Sequence, residues 1–176
     1  MISVQIALRA FAARDFREWQ GLAPETSLAD VAAICDADMT WRAGAWLGEA
    51  HRRAEWVNAT FREYPMGVRI WVEPGQDRVL LMDTEFPVLV TDLPVLLTTL
   101  GTPSAKLDSY LGTFCLPESE WTFPSRGLTL YVNPETQRLL RLGVYPATSL
   151  EDYRRSLRLD LQMRRLPVQR GRNRLT

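Results

Sequence analysis

The sequence predicts an α+β fold of two tandem modules, each a helix followed by an antiparallel sheet, with a further helix near the C-terminus. Three observations lead to this fold class. A hairpin-like segment occurs twice, each copy follows a segment that begins like a helix, and an apolar stripe of helical spacing follows the second copy. The composition, 46% hydrophobic and 24% charged residues, is that of an ordinary globular domain.

The repeated segment carries most of this prediction. Residues 67–82 (GVRIWVEPGQDRVLLM) and 127–142 (GLTLYVNPETQRLLRL) align without a gap. In each copy, apolar residues alternate as in a half-buried strand, and a proline then stands where a turn favours it. Each copy therefore predicts strand, turn, strand. We expect the alternating residues to be buried on one sheet face: Val68, Ile70, Val72, Leu128, Leu130 and Val132.

Shorter motifs match upstream of the two copies. The pairs are Tyr64-Pro65 with Phe123-Pro124, Glu55-Trp56 with Glu120-Trp121, and Trp46-Leu47-Gly48 with Tyr110-Leu111-Gly112. The predicted order is helix, loop and three strands, repeated once. We expect the two sheets to join or abut into one curved sheet with helices on one face, because exposed aromatic edges would otherwise aggregate.

Three helix starts share one pattern, a threonine two residues before a leucine, at Thr26, Thr91 and Thr148. Threonine is a good N-cap, and Glu151 would complete a capping box with Thr148. The predicted helices span residues 26–36, 92–100 and about 149–164.

The two ends of the predicted domain differ in clarity. In the final helix, an apolar stripe should pack on the sheet: Leu150, Tyr153, Leu157 and Leu161. Near the N-terminus, Val4, Ile6 and Leu8 alternate like a strand, whereas Phe16 and Trp19 have helical spacing.

Residues 1–164 are predicted to form one domain with an internal duplication, about 26–82 and 91–142, and residues 165–176 a basic tail. The chain has 21 basic and 21 acidic residues, but residues 151–176 hold eight arginines and three acids. Basic tails can bind phosphate backbones. The tail has no interleaved aromatic residues, and the rest of the chain is acidic. We therefore expect a solvated or self-docked tail rather than a nucleic-acid partner.

This layout resembles the tandem modules of bacterial β-lactamase-inhibitor proteins and of BamE-like outer-membrane lipoproteins. The resemblance covers roughly residues 26–145. It is carried by the helix-first order, the break Leu100-Gly101-Thr102-Pro103, and a following meander with an aromatic residue in its first strand. It implies the same fold and a binding role, and it assigns no functional residue. The chain departs from that family because its N-terminus, MISVQIALRAFAARDF, has no basic segment typical of an export signal.

Motifs for catalysis are weak. The single histidine, His51, stands beside two arginines and is interpreted as a solvated loop residue, and Cys35 and Cys115 lie in no nucleophile motif. The sequence indicates no metal site, no cofactor and no phosphate-binding loop. Two acidic pairs, Asp36 with Asp38 and Asp83 with Glu85, are interpreted as solvated turn acids, although such pairs could hold Mg²⁺.

Three function classes remain. We favour a non-enzymatic protein-binding role in a bacterial cytoplasm, such as an immunity-type inhibitor of a toxin or enzyme. The alternatives are a metal-dependent hydrolase or nuclease using Asp83 and Glu85, and a structural subunit of a larger assembly. The two cysteines fit a reducing compartment, and no apolar run is long enough to span a membrane.

The predicted partner-binding residues are Trp71, Tyr131 and Arg69. In a strand, neighbours of buried residues point to the opposite face, so these side chains should lie away from the core. An exposed aromatic surface marks a contact site. The alternative is a second core layer, covered by the N-terminal segment or by the final helix.

Overall fold

The computed structural model describes residues 4–35, 39–47, 51–62, 64–73, 75–85, 93–111 and 114–159. The α+β class is confirmed. The helices are α1 (Val4–Ala13), α2 (Leu28–Ala32), α3 (Leu93–Leu100) and α4 (Leu150–Asp152), with a 3₁₀ turn at Pro124–Arg126 and a π turn at Tyr153–Leu157. The strands are β1 (Thr40–Leu47), β2 (His51–Phe61), β3 (Tyr64–Val72), β4 (Val79–Glu85), β5 (Ala105–Leu111), β6 (Phe114–Phe123), β7 (Leu128–Asn133) and β8 (Arg138–Val144).

The eight strands of the described residues form one antiparallel sheet, so the predicted joining of two sheets is confirmed. The strand order is β1-β2-β3-β4-β8-β7-β6-β5. The first and second halves are each a four-strand meander, and they meet where β4 pairs with β8. At this seam Asp83 lies opposite Gly143.

Each half has four strands where the sequence predicted three. The additional strands are β1 and β5, which the sequence assigned to loops. The motif pair at Trp46 and Tyr110 marks the ends of these two strands. Both are edge strands, and register shifts interrupt the alternation of their residues.

Two of the flanking motif matches are wrong as structural equivalences. Trp56 lies opposite Trp71, whereas Trp121 lies opposite Leu130, so the Glu-Trp motifs are out of register by one residue. A one-residue slip turns side chains to the opposite face, so Trp56 and Trp121 lie on different faces. Tyr64 begins β3, whereas Phe123 ends β6.

One face of the sheet, here called the helix face, is covered by α1, α2 and α3. The predicted burial of the six alternating hairpin residues is confirmed, since all are at most 1% exposed. They share one apolar cluster with Leu28 and Val31 of α2 and with Leu93, Leu96 and Leu100 of α3. The second and third helices therefore lie on the same face, as the repeat predicts.

The N-terminal segment is a helix, not the strand that its alternation suggested. Val4, Leu8 and Phe11 of α1 are buried, while Ile6 is 44% exposed. The buried positions follow helical spacing, because α1 packs one stripe on the sheet. Phe16 and Trp19 then form a turn with edge-to-face rings, and they are also buried.

Two helix caps lie one residue after the predicted ones, and the third predicted cap, Thr91, lies outside the described residues. Ser27 caps α2 in a reciprocal box with Asp30, and Ser149 caps α4 through the backbone N–H of Asp152. Thr26 instead donates to the Ala23 carbonyl at 2.7 Å, and its own carbonyl accepts from Val79 at 2.9 Å. The Thr26 side chain therefore bonds to the preceding backbone, and Ser27 provides the N-cap.

The predicted final helix, 149–164, is much shorter in the structure. After α4 and the π turn, Arg158 is extended, and residues 160–176, with the predicted basic tail, lie outside the described residues. We call residues 149–159 the strap. It lies on the sheet face opposite α1–α3, here called the strap face, where Tyr153 and Leu159 are buried.

The chain enters the strap from a close backbone crossing. Gly127 has φ +59°, and a Cβ there would overlap the Tyr145 carbonyl. Tyr145 N–H donates to the Gly127 carbonyl at 2.9 Å, and Leu22 N–H donates to the Tyr145 carbonyl at 3.0 Å. Only glycine at 127 permits this contact, which lies four residues before the strap.

Candidate functional site

The three predicted binding residues all lie on the strap face, as their strand positions require. Trp71 is 6% exposed and Tyr131 is 5% exposed, so the expected open aromatic surface is wrong. They belong to a second core layer with Leu80, Leu81, Tyr145, Tyr153 and Leu159. The covered alternative is therefore the observed one, because the strap supplies the apolar cover for this face.

A buried ion-pair network lies at the centre of the strap face. Asp83 is fully buried and accepts two hydrogen bonds from Arg69, at 2.7 and 2.9 Å. Arg141 of β8 approaches the same carboxylate at 3.8 Å. The interpretation of Asp83 as a solvated turn acid is wrong, since it lies within β4 and both its oxygens are engaged. The side chain of Glu85 is outside the described residues.

The third predicted residue, Arg69, also contacts two tryptophans. Its guanidinium lies 5.8 Å from the Trp56 ring centroid and 5.9 Å from that of Trp71, within cation–π range. The two rings are 6.1 Å apart. The Trp71 indole N–H is buried and has no acceptor among the described residues. A buried donor without an acceptor costs about 1–3 kcal/mol, which makes this position unusual.

A second buried acid fastens the strap to the sheet. Glu120 of β6 is 1% exposed, and it accepts from the Tyr153 hydroxyl at 2.8 Å and from Arg158 Nε at 3.1 and 3.2 Å. Burial raises the pKa of the Glu120 carboxyl, against the opposing attraction of Arg158. Arg158 also donates to the Asp108 carbonyl of β5 at 2.5 Å. One arginine of the strap therefore contacts both strands of the β5–β6 hairpin.

The tyrosines of this face act as neutral hydrogen-bonding groups. Tyr145 and Tyr153 are stacked with centroids 5.1 Å apart. The Tyr145 hydroxyl is within hydrogen-bonding distance of Thr129 Oγ1 and of the Leu128 carbonyl, at 2.9 Å each. Burial raises the pKa of Tyr131, Tyr145 and Tyr153, so each hydroxyl keeps its proton. This arrangement holds a cover in place and offers no activated nucleophile.

The β5–β6 hairpin, at one edge of the sheet, has a different character. Its two strands are braced by side chains: Asp108 accepts from the Glu118 N–H at 3.0 Å, and Ser109 and Ser119 hydroxyls lie 2.6 Å apart. Trp121 Nε1 donates to the Glu118 carbonyl at 2.7 Å. These bonds fix the bulged part of the hairpin between its base and its tip.

The tip of this hairpin carries an exposed aromatic residue. Phe114 is 74% exposed, the most exposed large hydrophobic residue in the described part of the chain; the others are Ile6 and Val95. Cys115 beside it is exposed, and Tyr110 opposite Cys115 is half-buried. A hairpin with cross-strand side-chain bonds that presents an exposed phenylalanine is the clearest surface feature of the described residues.

The remaining sequence candidates form no site within the part of the chain that the structure describes. His51 begins β2, and its side chain is outside the described residues, as are Asp36 and Asp38. Neither Cys35 nor Cys115 forms a disulfide, and the Cys35 thiol donates to the Thr60 carbonyl at 3.3 Å. Within the described ranges, no cluster of three His, Cys, Asp or Glu side chains could hold a metal, and no helix is long and apolar enough to cross a membrane.

Sequence reasoning missed Phe114, Glu120 and Arg158. A signal for Phe114 was present in the sequence, because apolar residues stand on both sides of Gly112-Thr113, with Tyr110 and Leu111 before and Phe114 to Leu116 after. Nothing in the sequence marks Glu120 and Arg158 as partners, since 38 positions separate them.

Comparison with protein-family models, with curated proteins and with solved structures finds no match to this chain. The resemblance to tandem inhibitor modules therefore stays a prediction, and the function must be argued from the geometry.

Proposed function

We propose that this chain is a non-enzymatic protein-binding protein and that the tip of the β5–β6 hairpin contacts its partner. The observation that carries the proposal is the 74% exposure of Phe114 on a cross-braced hairpin. Aromatic residues are enriched among the side chains that dominate binding energies at interfaces.

Rigidity makes the exposed side chain useful for binding. Binding is weaker when a loop must be ordered on association, because the lost conformational entropy costs free energy. A hairpin that is already fixed in shape avoids part of that cost. The bonds from Asp108 to Glu118 and from Ser109 to Ser119 fix the hairpin before any partner arrives. Phe114 is then an anchor that can enter an apolar pocket of the partner.

The most concrete version is an immunity-type inhibitor that neutralises a toxin or another enzyme in a bacterial cytoplasm. A subunit of a larger assembly would use the same surface. Affinity purification would then recover many components rather than one partner. The hydrolase or nuclease alternative gains no support, because Asp83 is occupied by Arg69 and by the nearby Arg141.

We also infer that the two halves arose from one duplicated unit of helix and antiparallel strands. Support comes from the seam: Asp83 pairs with Gly143, which is its own counterpart in the repeat. Met82 pairs with Val144 and Thr84 with Leu142, and these exchange under the same offset. The strand order therefore reads the same from either edge.

The test compares three tagged full-length chains: wild type, Phe114→Ser and Val95→Ser. Val95 is 61% exposed on α3 and is the matched control. We expect affinity purification from the native host to recover a protein with wild type and with Val95→Ser, and to lose it with Phe114→Ser. Loss of one anchor costs about 2 kcal/mol or more in binding. Equal recovery with all three chains, when all three unfold at the same urea concentration, would overturn the proposal.

A further inference from the structure

We propose that the strap is a displaceable cover, and that the strap face is a second docking surface for a partner segment of the same chemistry. Such a segment presents an aromatic hydroxyl and, five positions later, an arginine, between apolar side chains. This surface is separate from the hairpin tip and does not depend on it.

The partners of the backbone hydrogen bonds change where the strap begins. Before it, backbone groups tie the chain down: Thr148 N–H donates to the Pro124 carbonyl at 2.9 Å, close to the Tyr145 crossing. Beyond it, the backbone donors Tyr153 and Arg158 bond only within the strap, to Ser149 and Tyr153. Among the described residues, the hydrogen bonds that join the strap to the sheet come from side chains. Segments held in this way open with less free energy than backbone-paired strands.

The surface beneath the strap, here called the seat, consists of Glu120 and the apolar residues around it. Glu120 is a buried carboxylate that needs a cation and a hydroxyl, which Arg158 and Tyr153 supply. A buried acid left unpaired is strongly unfavourable, so the seat selects an occupant with a guanidinium. Apolar surface around it comes from Leu80, Leu81, Tyr131 and Tyr145.

The strap does not satisfy every group on this face. The Trp71 N–H, in the same cluster as Tyr153 and Leu159, is buried without an acceptor among the described residues. The strap itself is short, three α-helical residues and one π turn, and isolated helices of this length are not stable in water. A partner segment that also offers a carbonyl to Trp71 would bind more favourably than the strap does.

The test uses the full chain and a labelled peptide of residues 149–159, with binding followed by fluorescence anisotropy. Arg158→Ala weakens the strap and leaves the seat intact, so more of the protein is open. We expect this chain to bind the peptide at least about tenfold more tightly than wild type does. The matched control is Arg155→Ala, whose ion pair is with Asp152 of the strap itself, and it should bind like wild type. A peptide that itself carries the Arg158→Ala change should bind the opened chain at least about tenfold more weakly.

Equal binding by all three chains, or none, would overturn the proposal. Hydrogen exchange on the wild-type chain provides a measurement that needs no variant. The Tyr153 and Arg158 amides should exchange together and faster than those of β7 and β8. Exchange of the strap only at the rate of these central strands would show that it opens with global unfolding, and would also overturn the proposal.

Discussion

The two faces of the sheet are built by different physical means. On the helix face, Ile70, Leu130 and their neighbours form a continuous apolar layer with three helices. On the strap face, the same strands present Arg69, Asp83, Glu120 and Arg141 among aromatic rings. The first face is stabilised by buried volume. The second requires each charge to have its partner.

The two halves of the strap face also differ from each other. Trp56 lies opposite Trp71 in the first half, and Glu120 lies opposite Tyr131 at the corresponding place in the second. The strap fastens to the half that has the acid. One sheet can thus keep a common core on one face while its other face specialises, because strand alternation separates the two sets of side chains.

The largest effect is expected from breaking the ion pair of the strap face. Arg69→Ala removes both hydrogen bonds to fully buried Asp83 and should lower the free energy of unfolding by about 3–5 kcal/mol. Urea denaturation measures the change. The control is the double variant Arg69→Leu with Asp83→Leu, which removes both members of the hydrogen-bonded pair and should recover most of the loss. A loss under about 1 kcal/mol in the single variant would contradict this account of the face.

On the helix face, the loss of stability should depend on the side-chain volume that a substitution removes. Ile70→Ala and Leu130→Ala each create a cavity and should each lower the free energy of unfolding by about 2–5 kcal/mol. Both residues are fully buried, at matching positions of the two halves. Val95→Ala on the exposed side of α3 is the control, with an expected change within about 0.5 kcal/mol. If one of the two buried sites tolerates alanine as Val95 does, the two halves do not share one core.

The smallest expected effect is a change in pH dependence. Burial raises the pKa of Glu120 above its ordinary 4.5, so the folded state binds this proton more tightly than the unfolded state does. The stability from this preference is present below pH 4.5 and is lost as pH rises through the folded-state pKa. Glu120→Gln keeps an acceptor for Tyr153 and cannot ionise. We expect the wild type to lose stability relative to Glu120→Gln as pH rises above 4.5, in urea titrations at several pH values. A parallel pair of curves would show that Glu120 does not titrate differently in the folded state.

Much of the helix face could be predicted from the sequence. The alternation at Val68, Ile70 and Val72 has the period of a strand, and that period is local information. α1 shows the limit of such reasoning, because Val4, Ile6 and Leu8 also alternate, yet they lie in a helix. Three residues fit either period, and the packing of Ala7 and Phe11 against the sheet decides between them.

The strap face shows what the sequence could not supply. By itself, the sequence determined the α+β class, the two hairpins and which residues of β3 and β7 point away from the helices, because these follow from spacing along the chain. Only the tertiary structure decided that Asp83 is buried beside Arg69 and that Trp71 and Tyr131 are covered. It also decided that Glu120 accepts hydrogen bonds from Arg158. Those outcomes depend on which strands become neighbours and on where the strap crosses them, and such long-range pairings leave no local pattern in the residues that make them.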